Sequence, residues 1–306
     1  MTPASRVTVR VPATSANLGA GFDTLGLALG LYDTVVVRIA QRGADFVSIR
    51  GEGADTLPRD SSHMVVALVR RELEKRGIDT PAIHVSAHNR IPQARGLGSS
   101  AAAVVAALAA AHVLSGHRRL DRAALIDSAA QIEGHADNVA ACVLGGLTIA
   151  WPEQVGKTHQ ARATSLRCAP RVAAIALVPT ARSVTARTRR LLPEKVTHED
   201  AAFTAAHAAL TVAALTRQPE LLPSALNDRI HEPYRRRVMR SSHDAVIRLR
   251  KAGYAAAISG GGSSVLVLHS QGRSAAFTRQ LAELAGTEFV VMPLPIDTGG
   301  VIATAG

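Results

Sequence analysis

The feature that most constrains the fold is a glycine–serine turn that leads directly into a long alanine-rich segment. The turn is GLGSS at residues 96–100, and no glycine or proline follows it before residue 116. Alanine is the best helix former and serine a favoured N-cap, so the sequence predicts a helix beginning at Ser99 or Ser100. The first amides of such a helix lack internal partners and lie at the positive end of its dipole. The segment therefore predicts an anion site, most naturally for phosphate, with an ordinary capped loop as the alternative.

Two further glycine-rich segments favour the phosphate interpretation. PATSANLGAGFD, residues 12–23, follows a strand predicted at residues 7–11, which Pro12 is expected to end. This segment is long for a hairpin and carries an amide and a carboxylate, so ligand contact is at least as good an interpretation as a plain loop. SGGGSS, residues 259–264, lies between strands predicted at 255–259 and 265–269. Its glycines would allow the backbone to pack against a phosphate or against another loop.

Length and composition indicate one large or two ordinary domains with a sizeable core. The chain has 306 residues, 47% of them hydrophobic and 3% aromatic. A net charge of +11 admits a nucleic-acid partner, but the basic residues are scattered and lack interleaved aromatics. No apolar run reaches membrane-spanning length, and Cys142 and Cys168 show neither metal-ligand nor disulfide spacing. We therefore expect a cytoplasmic protein that binds neither nucleic acid nor membrane.

The order of predicted elements is that of an α+β chain. In the first half, helices are predicted at residues 63–76 and 121–133, the second with Asp121 as its N-cap. The polar stretch 153–171 is the best candidate for a linker. Its GKT at residues 156–158 resembles the end of a Walker A loop, but Trp151 replaces the first glycine of that motif and excludes it. The second half is predicted to contain strands at 172–178, 255–259, 265–269 and 289–292, and helices at 198–215, 220–227, 242–251 and 273–285.

Two polar segments are further candidates for a site. Glu133, His135, Asp137 and Asn138 fall within six positions, between a helix end and a strand predicted at residues 147–150. A lone histidine is usually structural or exposed, but four such groups together favour a functional role. The arginine-rich residues 179–193 are either a solvated basic helix face or an anion-recognition element.

In chain order the first glycine-rich segment is PATSANLGAGFD (12–23), the second is RGLGSSAA (95–102) and the third is SGGGSS (259–264). Taken in this order, they resemble the three signatures of the GHMP small-molecule kinases. Within that group EGHADNVA (133–140), SVTARTRRLLP (183–193) and HEPYR (231–235) resemble segments of the homoserine kinase family, and the likeness runs from Val7 to Val301. It implies an N-terminal ribosomal-S5-like α/β domain that binds ATP, residues 1–160. It also implies a C-terminal ferredoxin-like α/β sandwich that completes the substrate site, residues 161–306.

The resemblance further implies an activity. ATP would phosphorylate the side-chain hydroxyl of L-homoserine, giving O-phospho-L-homoserine and ADP in a step of threonine biosynthesis, and relatives are cytoplasmic and usually dimeric. The first alternative is a GHMP kinase acting on another small alcohol, such as mevalonate or a sugar. A remote alternative from a different class is an RNA-binding protein that uses the S5-like domain and the positive charge.

The resemblance assigns ligands to the ATP phosphates and to a metal ion. The phosphates would be wrapped by Pro92, Gln93, Ala94, Arg95, Gly96, Leu97, Gly98, Ser99, Ser100, Ala101 and Ala102. Mg²⁺ would be held by Ser99, or by its neighbour Ser100, together with Glu133. Asp127, earlier on the same predicted helix, is the alternative carboxylate.

The resemblance also assigns the substrate site. Homoserine is a zwitterion, so its site needs an acid for the ammonium group and arginines for the carboxylate. The matching residues are Asn17, Asp23, His135, Thr185, Arg189 and Arg235, with Arg187 as a competitor for Arg189. Asn138 stands where several GHMP kinases carry an aspartate, so it receives an orienting role and no general base is assigned. Ala20 and Ser263 stand where proline is common in the family, and neither change removes a polar ligand group.

Overall fold

A computed structural model describes residues 5–181, 190–270 and 275–306, which form two sheets with helices packed on them. The first part of the chain supplies β1 (Arg6–Asn17), β2 (Gly21–Ala40), β3 (Phe46–Gly51), α1 (Met64–Glu74), β4 (Ala82–Asn89), α2 (Ser99–Leu114), α3 (Arg122–Glu133), α4 (Asp137–Leu144), β5 (Leu147–Val155) and β6 (Thr158–Leu166). The second part supplies β7 (Ala173–Pro179), α5 (His198–Thr216), α6 (Leu222–Ala225), α7 (Glu232–Arg235), α8 (Arg240–Lys251), β8 (Ala255–Ile258), β9 (Val265–His269), α9 (Ala275–Ala285), β10 (Phe289–Leu294) and β11 (Ile302–Ala305).

The first sheet has the order β11-β1-β2-β4-β3, with β5 paired to β2 and β6 paired to β5. Strand β1 continues past Pro12 to Asn17, so the expectation that Pro12 ends it is wrong. The register with β2 shifts between Pro12 and Ala13, and such an irregularity is where a sheet accepts proline. Strand β1 thereby runs straight from the core of the sheet to the first glycine-rich turn.

Helix α2 is the central element of the first half. It begins at Ser99 as predicted, but its N-cap is Gly98, which has a φ of 72° and leaves no serine side chain capping the helix. Twelve of its 16 residues are buried, against neighbours that include α1, α3, α4 and β1. Alanine side chains allow those neighbours to approach on every side, which explains the absence of a polar face on this helix.

The second sheet is antiparallel throughout, with the order β10-β7-β9-β8. In chain order its elements run β7-α8-β8-β9-α9-β10, which is the split βαβ arrangement of a ferredoxin-like sandwich. Val246 and Leu249 of α8 and Leu281 of α9 pack with the strands in one core. This half and the two-sheet architecture confirm the predicted α+β class. Helices α5, α6 and α7 are inserted between β7 and α8.

The predicted linker at residues 153–171 is wrong over most of its length. Strands β5 and β6 pair from Leu147 with Leu166 to Val155 with Thr158, and Gly156 sits in the hairpin turn. The tip of the hairpin, residues 151–159, is exposed on both faces, and residues 160–163 are all half-buried. The hairpin therefore lacks the alternating burial that marks a strand with one buried face. The first sheet therefore includes β6, which continues to Leu166, and also β11, which comes from the last residues of the chain. A division of domains at that position stays a prediction.

No helix within the described ranges combines the length and the apolar character that crossing a bilayer requires.

Candidate active site

A cavity of about 290 Å³ lies where the N-terminus of α2 meets residues from both halves of the chain. The predicted substrate residues Asn17, Asp23, His135 and Arg235 line it, as do Glu133 and Asn138. Of the predicted phosphate loop, the residues that line it are Pro92, Ala94, Gly96, Gly98, Ser99, Ser100 and Ala101. Residues separated by more than 200 positions in sequence thus share one cavity.

The second and third glycine-rich segments pack directly on each other. A Cβ on Gly96 would lie 2.3 Å from the carbonyl oxygen of Ser259, and one on Gly262 would lie 2.2 Å from the amide nitrogen of Gly96. The Ser259 hydroxyl donates to the carbonyl of Gly96 at 2.6 Å. Contact this close is possible only between glycines. Of the two roles open for the third segment, packing against another loop is therefore observed.

The first amides of α2 face this cavity. The helical hydrogen bonds start with the Ala102 amide donating to the Gly98 carbonyl at 2.9 Å, so the amides of Ser99, Ser100 and Ala101 precede the ladder. Together with the helix dipole they form a site for negative charge. The fold thus supplies the helix N-terminus on which the predicted anion site depends, and phosphate binding there stays a prediction.

Thr14, at the end of β1, connects this loop to Asn138. Its amide donates to the Leu97 carbonyl at 3.0 Å, and its hydroxyl donates to Oδ1 of Asn138 at 2.8 Å. A Cβ on Gly98 would lie 1.9 Å from the Thr14 hydroxyl oxygen, so this position also requires glycine. Because Oδ1 of Asn138 is engaged, the donor amide of the same side chain is the group it offers to a ligand.

Asp137 orients His135. Its buried Oδ1 lies 2.8 Å from Nδ1 of His135 and accepts the Asn138 amide at 2.7 Å. The carboxylate therefore favours a proton on Nδ1 and turns Nε2 outward. One carboxylate therefore holds the His135 side chain and the backbone of Asn138.

Asn17 is the last residue of β1 and Asp23 is the third residue of β2, and a tight turn joins the two strands. The Asn17 side chain accepts the Asp23 amide at 3.1 Å and donates to the Gly260 carbonyl at 2.9 Å. Asn17, Leu18 and Gly19 all have positive φ, a conformation that costs energy outside glycine. Backbone strain of this kind is typical of a turn held for function. Asn17 thus also links the turn to the third glycine-rich segment.

Arg235 enters the cavity from the second half of the chain. It is the last residue of α7 and only 3% exposed, and its guanidinium donates to the Gly260 carbonyl at 3.1 Å. A buried guanidinium is costly unless it is held by partners, and it pairs naturally with a planar carboxylate. The cavity lining thus contains one arginine and three carboxylates, those of Asp23, Glu133 and Asp137.

Glu133 and Asp127 differ in their surroundings. Glu133 ends α3, lines the cavity and accepts the Ser100 hydroxyl at 2.7 Å through Oε1. Asp127 instead accepts the Ala161 amide at 2.8 Å and the Gln131 side chain at 3.1 Å, which fastens α3 to β6. Of the two serines predicted as possible metal ligands, Ser100 contacts Glu133. The geometry therefore favours Glu133 as the carboxylate near a bound phosphate.

Four residues of the predicted phosphate loop have other surroundings. The Leu97 side chain is buried, and Gln93 and Ala102 line a neighbouring cavity. Arg95 donates to the carbonyls of Pro179 and Thr180 at 2.8 Å and 3.0 Å, which ties the loop to the end of β7. Two predicted substrate residues, Thr185 and Arg189, and the competitor Arg187 lie outside the described residues.

The neighbouring cavity, about 400 Å³ in volume, is lined mainly by apolar groups and was not predicted from the sequence. It shares Ala94, Ser99 and Ser100 with the first cavity. Asp33 lies in its wall, where burial raises the pKa of the carboxyl. The phosphate loop thus separates a polar cavity from an apolar one, an arrangement that suits a ligand with a charged tail and a flat apolar head.

Sequence reasoning missed Thr14, His231 and the backbone of Gly260 as parts of this site. Thr14 lies in the motif PATSAN and His231 in the motif HEPYR, so the family motifs could have marked both as candidate site residues. Their partners, however, lie more than 100 positions away, and no local pattern reveals them.

Comparisons with known proteins agree with this geometry. Residues 63–146 match the GHMP kinases N terminal domain, and residues 210–285 match the GHMP kinases C terminal domain. The homoserine kinase of Streptomyces coelicolor is 47% identical over 299 residues, covering 97% of this chain and 94% of the relative. That of Corynebacterium diphtheriae is 47% identical over 87% of each chain. A crystal structure of homoserine kinase from Cytophaga hutchinsonii superposes with a TM-score of 0.82 at 25% identity, covering 99% of both chains. The chain belongs to the homoserine kinase family of the GHMP kinases.

Proposed function

We propose that this chain transfers the γ-phosphoryl group of ATP to the side-chain hydroxyl of L-homoserine, giving O-phospho-L-homoserine and ADP on the route to threonine. The observation that carries the proposal is the meeting of an anion-binding helix N-terminus with an acid and a buried arginine in one cavity. Asp23, Arg235 and the first turn of α2 all line it. The activity is that of the relatives, which align over nearly the whole chain.

ATP would lie across both cavities. Its adenine and ribose fit the apolar cavity, and its phosphates would pass along the shared residues Ala94, Ser99 and Ser100. The amides before Ala102 and the dipole of α2 would then neutralise the phosphates. Phosphoryl transfer depends mainly on positioning and charge stabilisation, and this loop is held rigidly by Thr14 and Ser259.

Mg²⁺ fits the oxygen donors beside this loop. A serine hydroxyl and a carboxylate are hard ligands of the kind this ion takes alongside phosphate oxygens and water. We place it between the nucleotide phosphates, Glu133 and a serine of α2, with Ser99 as the sequence-based assignment and Ser100 supported by its contact with Glu133. When bound, the ion neutralises charge that develops on the phosphoryl oxygens.

Homoserine would be recognised as a zwitterion. Asp23 would face its ammonium group and Arg235 its carboxylate, with Thr185 and Arg189 as the further predicted partners. Asn138, whose Oδ1 is occupied by Thr14, would offer its amide to the acceptor hydroxyl, and His135 lies nearby. This assignment leaves the proton of the hydroxyl to phosphate or solvent and names no general base.

The experiment is an ADP-release assay with a panel of alcohols. We expect ADP from MgATP in the presence of L-homoserine and little without it. Release with mevalonate or a sugar, and none with L-homoserine, would leave the chain a GHMP kinase of different specificity. Salt-sensitive RNA binding without ATP turnover would instead favour the RNA-binding alternative.

We further propose that the enzyme is a cytoplasmic homodimer. The cytoplasmic assignment is supported by the family resemblance and by the two cysteines, which are free and form no disulfide. The dimer is supported by the family resemblance, and the molar mass measured by light scattering during gel filtration would test it.

A further inference from the structure

We infer that His231 is a positioning residue for substrate binding, which links the first glycine-rich turn to Arg235 through its two ring nitrogens. The inference rests on the proposed function, since it takes Arg235 as a ligand of the substrate carboxylate. His231 is fully buried immediately before α7 and does not line the cavity itself.

The two ring nitrogens of His231 have opposite hydrogen-bonding roles. Nε2 lies 2.8 Å from the carbonyl oxygen of Gly19, which can only accept, so Nε2 must carry the proton. Nδ1 lies 3.3 Å from a guanidinium nitrogen of Arg235, which can only donate, so Nδ1 must accept. A single tautomer with its proton on Nε2 satisfies both contacts. The imidazole ring therefore donates to the Gly19 carbonyl through Nε2 and accepts from Arg235 through Nδ1.

These contacts close a ring of hydrogen bonds between the two halves of the cavity. Gly19 belongs to the turn that presents Asn17 and Asp23, and Asn17 donates to the Gly260 carbonyl at 2.9 Å. Arg235 donates to the same carbonyl at 3.1 Å. Asn17 and Arg235 thus donate to the same carbonyl, and His231 contacts both the turn and Arg235. Displacing His231 should shift Arg235 and the turn together.

The Phe22 ring adds an apolar contact to the same assembly. It stacks on the His231 ring with centroids 5.1 Å apart and an interplanar angle of 24°. The guanidinium carbon of Arg235 lies 5.4 Å from the centroid of the Phe22 ring. Stacking and cation–π contact of this kind restrict the orientation of both partners.

The backbone that carries His231 is itself fixed by two buried carboxylates. Asp228 accepts the amides of His231 and Glu232 at 2.7 Å and 2.8 Å. Glu232 accepts the Ile258 amide at 2.8 Å and pairs with Arg250 at 2.8 Å. These bonds hold the backbone at His231 in place independently of its ring nitrogens. We therefore expect a substitution that removes the ring nitrogens to leave the fold intact.

The test is the kinetic comparison of His231→Phe with wild type, after wild-type turnover of L-homoserine has tested the proposed function separately. Phenylalanine keeps an aromatic ring that can stack on Phe22, removes both nitrogens and is somewhat larger than imidazole. We expect KM for L-homoserine to rise about tenfold or more, as for a misaligned charged hydrogen bond, with KM for ATP and kcat within about threefold. The matched control is His269→Phe, another buried histidine packed on an aromatic ring, and it should leave both KM values unchanged.

Two amide variants separate the roles of the two nitrogens. Asparagine at position 231 can offer an oxygen near Nδ1 to Arg235, whereas glutamine can offer an amide near Nε2 to Gly19. We expect His231→Asn to recover more homoserine affinity than His231→Gln. A homoserine KM for His231→Phe within about twofold of wild type, or equal rises for both substrates, would overturn the inference. So would a crystal structure of that variant with the Arg235 guanidinium unmoved from the Gly260 carbonyl.

Discussion

Ser100 and Glu133 are joined by a hydrogen bond of 2.7 Å from the serine hydroxyl to Oε1 of the glutamate. The contact connects the first turn of α2 to the last residue of α3. It places a hydroxyl and a carboxylate side by side at the positive end of a helix, where the phosphates of a nucleotide would lie. Asp127, six residues earlier on α3, instead accepts hydrogen bonds from the Ala161 amide and the Gln131 side chain.

The first prediction concerns Glu133→Gln, which removes the charge and keeps the shape. We expect the activity with MgATP to fall on the order of a hundredfold, because the variant would weaken the proposed Mg²⁺ site beside the transferred phosphoryl group. Steady-state kinetics over a range of Mg²⁺ concentrations would measure the loss and its partial recovery at high Mg²⁺. Asp127→Asn is the matched control, and a larger loss in that variant than in Glu133→Gln would reverse the assignment.

The two serines of α2 can be compared in the same assay. If the contact with Glu133 reflects the metal site, Ser100→Ala should resemble Glu133→Gln more closely than Ser99→Ala does. The opposite order would support the sequence-based assignment of Ser99.

Gly96→Ala tests the close packing of two glycine-rich segments. Gly96 has a φ of 80°, and a Cβ there would lie 2.3 Å from the carbonyl oxygen of Ser259. We expect a loss of ATP-dependent activity of about tenfold or more, since small displacements of positioned groups are costly to phosphoryl transfer. Gly253→Ala is matched for backbone conformation, with a φ of 85° and no atom within 4 Å of the new Cβ. It should cost only about 1 kcal/mol in the free energy of unfolding. Equal effects of the two substitutions on activity would contradict this account.

Much of the fold could be predicted because its signals are local. Helix α2 begins at Ser99, one of the two start positions predicted from the glycine–serine turn. Asp121 caps α3 as predicted, by accepting the Ala124 amide. The hairpin beyond residue 150 could not be predicted, because its tip is exposed on both faces and the half-buried part of β6 shows no alternating burial. Strand β11 is four residues long and is defined by its pairing with β1 across the whole chain.

The site divides in the same way. The residues that line the cavity come from motifs whose order identifies the family, so most of them could be named. The residues that hold them in place could not be named. His231 and its partner Gly19 are 212 positions apart in sequence, and Thr14 and its partner Asn138 are 124 apart. Hydrogen bonds between buried polar groups that are distant in sequence produce no periodic pattern and no fixed residue spacing by which they could be predicted.

Asp33→Asn tests the effect of a buried carboxyl on stability. Oδ1 of Asp33 accepts the amides of Arg90 and Ile91 at 2.6 Å and 2.9 Å, and burial raises the pKa of this carboxyl. A folded-state pKa above the unfolded value gives a stabilising contribution at low pH, which is lost as the pH rises through the folded pKa. Asparagine keeps the accepting oxygen and does not titrate. We therefore expect the free energy of unfolding of wild type to fall relative to the variant as the pH rises from about 4 towards neutral. Parallel urea-unfolding profiles of the two proteins over this range would contradict the prediction.

Asp23→Asn and Arg235→Lys test recognition of a zwitterion. Asparagine removes the charge offered to the ammonium group, and lysine keeps a charge but loses the planar fork that matches a carboxylate. Each change should raise KM for L-homoserine between about tenfold and a hundredfold, the range for hydrogen bonds to charged groups, with little change in KM for ATP. Initial rates with each substrate varied in turn would measure this. A rise confined to the ATP KM would place these residues in the nucleotide site instead.

The most direct test of the account is to identify the product formed from MgATP and L-homoserine by phosphorus–proton correlation NMR. We predict one phosphomonoester whose phosphorus couples to the side-chain methylene next to oxygen, formed in equal amount with ADP. Inorganic phosphate as the only phosphorus product besides ADP, or transfer to a different alcohol in preference to L-homoserine, would contradict the assignment.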